Sequence, residues 1–149
     1  LVVYVIAIPF NFRGAFENRD TLIVYNVVQF AVVGLLLAAT PLELDDLQPR
    51  ARPWLRGGII AVALLALLVS LYAFAAIVTR TAEGAITMNR LTFIGWNVIN
   101  IALLVMLLWR QLRAGADWVL PIQKTYSQWT AVYAAWALAM TLLVPLLFD

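Results

Sequence analysis

Four side-chain amides and one charged turn are the groups whose type and spacing can do chemistry in this chain. Asn26 and Gln29 stand three apart in one apolar stretch, and Asn97 and Asn100 stand three apart in another. On a helix that spacing puts each pair on one face. An amide in an apolar medium is costly without a hydrogen-bond partner, so both pairs are expected to face the interior of a helix bundle. Three roles fit them: hydrogen bonds between helices, the lining of a polar path for a substrate or ion, and ligation of a pigment through an amide or a bridging water. The first is the ordinary role of such groups, at ~0.6 kcal/mol each.

The charged turn is RTAEGAITMNR, from Arg80 to Arg90. Arg80 and Glu83 are three apart and can pair if the preceding helix continues past the bilayer. Gly84 is a natural helix terminator, and Asn89 a natural N-cap for the helix that follows. Arg90 then sits at the positive end of a helix dipole, where a cation is unfavourable; Glu83 is the nearest carboxylate that can offset it. The plain reading of Arg80, Glu83, Asn89 and Arg90 is a capped turn with snorkelling arginines. The functional reading is contact with an anion or a lipid headgroup. A third, enzymatic reading has Arg80, Glu83 and Arg90 acting on that headgroup.

A third group, Glu43, Asp45 and Asp46, has metal-ligand residue types. It lies beside Arg50, Arg52 and Arg56, so local salt bridging is the expected use of these carboxylates. The chain has no Cys and no His. That removes disulfides, thiol chemistry, Cys/His zinc sites and the commonest general base. No Gly-rich phosphate loop, serine nucleophile elbow or paired intramembrane carboxylate is present. No catalytic residue, metal site or cofactor is assigned; bound lipids are expected.

The elements that must position these groups follow from composition. Of 149 residues, 64% are hydrophobic and 12% charged. A soluble domain is about half apolar and a quarter charged, so the excess must face lipid. The net charge of +2 comes from short loops, which gives no basis for nucleic-acid binding. Four stretches, about residues 21–40, 57–78, 91–109 and 129–148, are each roughly 20 residues long, enough to cross a hydrocarbon core of ~30 Å. None contains Asp, Glu, Lys or Arg. Lipid offers no partners to the backbone, and continuously apolar stretches lack the alternation of a barrel strand, so each is a helix. An all-α membrane bundle of four transmembrane helices is expected, as one domain spanning 1–149.

Residues 1–10 are apolar but half a span long. They read as the end of a helix whose start lies outside the sequence, or as a short interfacial segment. Pro9, Pro41, Pro49 and Pro53 are expected to separate elements, Pro145 to bend the fourth span, and Arg110–Gln128 to form a connection resting at the interface. Arg50, Arg52, Arg56, Arg110, Arg113 and Lys124 fall on one side, and Arg13, Arg19, Arg80 and Arg90 on the other. The six-charge side, which also carries Trp54, Trp109, Trp118 and Trp129, is assigned to the cytoplasm.

Small residues form two rows at helical spacing, Ala66/Ser70 and Ala131/Ala135/Ala139. Such rows let helices approach closely, either inside the bundle or against another subunit.

The stretch Glu83-Gly84-Ala85-Ile86-Thr87-Met88-Asn89-Arg90, followed by Leu91–Trp96 and an apolar helix, resembles a turn in an uncharacterised family of bacterial polytopic membrane proteins. That turn reads roughly Glu-x-Gly-Leu-Thr-x-Asn-Arg. Glu83, Thr87, Asn89 and Arg90 match, and Ala85 stands where the family has Gly. The resemblance implies several transmembrane spans and a bacterial inner membrane, and supplies no activity. The function expected from the whole sequence is a non-catalytic multipass subunit or membrane domain, packed among other membrane subunits and lipids. The alternative is a transporter or channel component with a path lined by Asn26, Gln29, Asn97 and Asn100.

Overall fold

The computed structural model describes residues 2–10, 13–38, 43, 45, 47–84 and 87–147. Expectations for Leu1, Pro41, Asp46 and Ala85, and for the ends of the first and fourth apolar stretches, lie outside those residues. Among these described residues six helices follow in chain order: α1 (Val2–Phe10), α2 (Gly14–Glu17), α3 (Arg19–Leu37), α4 (Arg52–Ala82), α5 (Met88–Arg113) and α6 (Val119–Leu147). No strand occurs among the described residues. Among the described residues three segments are long and apolar enough to cross a membrane: Asp20–Leu37, Arg52–Ala82 and Met88–Arg113. The helix α6, of 29 residues, covers most of the fourth apolar stretch.

Local chemistry sets the boundaries, in several places differently from the expectation. The Asn18 side chain accepts from Asp20 N at 2.8 Å and caps α3, satisfying one of the amides a helix start leaves open. The cap of α5 is Thr87, whose hydroxyl accepts from Arg90 N at 3.4 Å. Asn89 is therefore a first-turn residue and not the cap. A helix ends at Ala82 with Glu83 as C-cap, but no glycine has positive φ among the described residues, so Gly84 supplies no left-handed terminator. Pro53 opens α4 from within its first turn, where a missing N–H costs nothing. Pro9 lies inside α1. The expected connection Arg110–Gln128 is mostly helix: α6 begins at Val119, and Pro121 is accommodated in its first turn.

The central helix is α4, which packs against α1, α2, α3 and α5, while α6 packs along α5. Its buried stripe is mainly small: Ala63, Ala66, Ser70, Ala73 and Ala76 are all at most 1% exposed. That lets α3 and α5 come close on either side. Ser70 gives its hydroxyl proton to Ala66 O at 2.7 Å, so the polar atom is satisfied within its own helix. One apolar cluster gathers Leu103, Leu104, Leu107, Trp118 and Ile122 with α4. A second, toward the Arg80 end, gathers Tyr25, Val69, Tyr72 and Ala76, with the Tyr72 ring edge-on to Tyr25 (5.2 Å) and Phe16 (5.8 Å).

Polarity is distributed inside-out. Asn26, Gln29, Asn97, Asn100, Gln111 and Thr125 are buried, while Val27, Leu35, Leu64, Leu68, Leu71 and Leu138 are exposed. Water would penalise that outer surface; lipid does not.

The basic end is held by backbone contacts. Arg56 donates to Gln111 O and Ala114 O at 2.7 Å each and to Gly115 O at 3.4 Å, so a guanidinium covers the carbonyls left open at the end of α5. Arg52 Nε donates to Leu47 O at 3.2 Å. Among the described residues neither Arg52 nor Arg56 pairs with Glu43 or Asp45; both donate to backbone carbonyls instead. Trp54 and Trp109 are exposed, while Trp118 is buried in the core.

Candidate functional site: a polar seam below a cationic cavity

All four amides face the interior, as their spacing requires. Asn97 Nδ2 on α5 donates to Asn26 Oδ1 on α3 at 2.9 Å and shares its donors with Phe93 O at 2.8 Å. Asn26 Nδ2 donates to Leu22 O at 2.8 Å. Tyr133 on α6 donates its hydroxyl to Asn100 Oδ1. The amides therefore link α3 to α5 and α5 to α6. Among the described residues the buried Gln29 side chain finds no hydrogen-bond partner for either polar atom, and Asn97 Oδ1 finds none. Around the seam, the Trp96 ring lies between Phe30 (5.2 Å) and Tyr133 (5.1 Å).

A cavity of about 680 Å³ opens at one end of this seam, lined by Leu22, Ile23 and Asn26 of α3, Ile77 and Arg80 of α4, and Thr87, Asn89, Arg90 and Phe93 at the start of α5. Of the four amides only Asn26 reaches it. Gln29, Asn97 and Asn100 line neither this cavity nor the cleft beside it.

The charged turn is gathered as expected. Arg80, Asn89 and Arg90 share the cavity, and Arg80, Glu83 and Arg90 share a smaller adjoining cleft of about 280 Å³ with Phe16, Glu17 and Gly84. No ion pair joins Arg80 to Glu83 among the described residues, and Arg80 Nη1 is enclosed with no hydrogen-bond partner. A Cβ on Gly84 would stand 3.0 Å from Arg90 Nη1. A side chain at position 84 would push the Arg90 guanidinium aside by a few tenths of an ångström.

The two small-residue rows separate. Ala66 and Ser70 are fully buried in the bundle; Ala131 and Ala135 are exposed and Ala139 half-buried on α6. Among the described residues no group of three or more acidic side chains is placed to hold a metal ion.

Sequence reasoning missed the apolar walls Leu22, Ile23, Ile77 and Phe93, which carry no signal of their own. It also missed Gln111, whose Nε2 donates to Trp118 O at 2.7 Å across the α5–α6 turn, and Tyr133. Both were visible as polar groups within long apolar helices. Searches against family models, curated proteins and solved structures found no match to this chain.

Proposed function

We propose that this chain is a non-catalytic multipass membrane subunit or membrane domain, crossing a bacterial inner membrane with α3, α4, α5 and α6 and docking another membrane protein through α6. The observation that carries this is the placement of Ala131 and Ala135. They are exposed on a helix whose packing within the chain is against α5. A row of small residues lets a second helix approach to backbone contact, and no charge interrupts this face from Trp129 to Leu143. Lipid solvates the remaining apolar surface. The absence of Cys and His removes the commonest catalytic groups.

The chain's lack of Cys makes the test clean. A single Ala135→Cys variant in native membranes should form a specific cross-link to a neighbouring protein, whereas Val105→Cys, on an exposed face of α5, should not. Ala135→Leu should abolish co-purification of that neighbour while leaving the chain folded. A monodisperse monomer in mild detergent, with no cross-link in the native membrane, would count against the proposal.

The alternative, a transporter or channel component, is favoured by one contact. Asn26 belongs both to the cavity and to the amide seam, so a polar route into the bundle starts there. It requires the Asn26–Asn97 contact to open. Asn26→Ala and Asn97→Ala would change flux under that reading and leave docking through α6 intact.

A further inference from the structure

The cavity at the Arg80 end has a specific cause and a specific chemistry. Both α3 and α5 lie against α4, and they touch each other through Asn26–Asn97 and Phe30–Trp96. Every α3 and α5 residue that lines the cavity precedes Asn97 or is Asn26 or earlier, and its α4 residues are the late ones, Ile77 and Arg80. The cavity is therefore the gap between α3 and α5 beyond their contact, with α4 as its back wall and the amide pair closing its inner end.

We propose that this cavity binds the phosphate headgroup of an anionic membrane lipid. Two guanidinium-bearing side chains, Arg80 and Arg90, line it together with Thr87 and Asn89. It also lies at the start of α5, where the helix dipole adds positive potential. The carboxylates Glu17 and Glu83 line the adjoining cleft and not the cavity, and Asp20, in the first turn of α3, lines neither. The Arg80 and Arg90 side chains both line the cavity, and a phosphate oxygen is an acceptor whose charge and geometry suit a guanidinium.

The rest of the lining selects a lipid over a free anion. Leu22, Ile23, Ile77 and Phe93 form apolar walls, and Ile23 and Phe93 are 40% and 37% exposed, so the cavity opens sideways onto the outer surface of the bundle. An isolated phosphate leaves those walls wet. A headgroup entering laterally covers them with its glycerol and upper acyl chain. Arg80 and Arg90 lie near the ends of the apolar windows of α4 and α5, the depth at which headgroups meet hydrocarbon. This site is on a different surface from the α6 face, so either proposal can fail without the other.

The test uses the full chain in a neutral detergent, with bound lipid counted by native mass spectrometry. Phosphatidylglycerol should be retained at about tenfold lower concentration than phosphatidylcholine, and Arg80→Gln should remove about that preference. Arg113→Gln, at the opposite end, should leave it unchanged. Ile23→Trp narrows the apolar mouth while keeping both arginines, and should also weaken phosphatidylglycerol binding several-fold. It keeps the proposal testable if Arg80→Gln does not fold. Equal retention of the two lipids, or wild-type behaviour of either variant, would overturn the proposal. So would inorganic phosphate displacing phosphatidylglycerol at equal concentration, because the site would then read a free anion.

Discussion

At the scale of single residues, buried polar groups in this chain divide into satisfied and unsatisfied ones, and the two kinds respond oppositely to removal. Asn97 Nδ2 reaches Asn26 Oδ1 at 2.9 Å, so Asn97→Leu strands a buried acceptor and should destabilise the bundle by ~0.5–1.5 kcal/mol. Gln29 is 1% exposed, with no hydrogen-bond partner for either polar atom among the described residues. Gln29→Leu replaces an unpartnered amide with a group of similar size, and should be neutral or stabilise by up to ~1 kcal/mol. Unfolding midpoints in a mixed-detergent titration distinguish the two signs; a loss in Gln29→Leu as large as in Asn97→Leu would show that Gln29 has a partner after all. Glycines give a second contrast. A Cβ at Gly95 would overlap the Trp136 ring of α6, while one at Gly57 meets nothing within 4 Å. Gly95→Ala should therefore cost ~1–3 kcal/mol through the forced shift of α6, and Gly57→Ala should be neutral or slightly stabilising because alanine favours the helix.

At the scale of elements, the helices were legible and their ends were not. Charge-free runs of about 20 residues mark apolar helices without ambiguity, because lipid leaves the backbone no other arrangement. Ends depend on a few local contacts that sequence ranks poorly. Thr87 and Asn89 are both good N-caps, and only backbone geometry decides that Thr87 is extended and accepts from Arg90 N. A helix starting at Val119 was hidden because Pro121 reads as a breaker, yet proline in a first turn removes no helical bond. The amide faces were legible from their three-residue spacing; that they meet one another, with Asn26 alone at the cavity, required the helix packing. The fate of Arg56 shows the same limit, since the nearby acids suggested ion pairs and the end of α5 took the guanidinium instead. Its contacts with Gln111 O, Ala114 O and Gly115 O join the start of α4 to the end of α5. Arg56→Gln should lower stability by ~1–2 kcal/mol and speed hydrogen exchange in the last turn of α5; unchanged exchange there would mean the contact contributes nothing.

At the scale of the whole molecule, the arrangement makes a topological prediction that no single helix makes. Arg56 pins the start of α4 to the end of α5, and Arg110 of α5 donates to Thr125 Oγ1 (3.1 Å) and Gln128 Oε1 (2.7 Å) of α6. The turn after α5 and the segment before α4 therefore share one end of the bundle. The α2 turn and the Arg80–Arg90 turn share the other, where Phe16, Glu17, Arg80 and Glu83 line one cleft. If α3, α4, α5 and α6 all span, these two ends lie on opposite sides of the membrane, with six basic side chains at the first and four at the second. The more basic end then faces the cytoplasm. Because the chain has no native Cys, single Gly115→Cys and Glu83→Cys variants report on this directly. Both positions are exposed, so an impermeant thiol reagent applied to intact cells should label position 83 and spare position 115 until the cells are lysed. Labelling of both from outside would remove the spanning arrangement, and labelling of 115 alone would invert it. The lipid-headgroup site would then belong to the outer leaflet in the first pattern and to the inner leaflet in the inverted one, which fixes the leaflet in which its ligand must be sought.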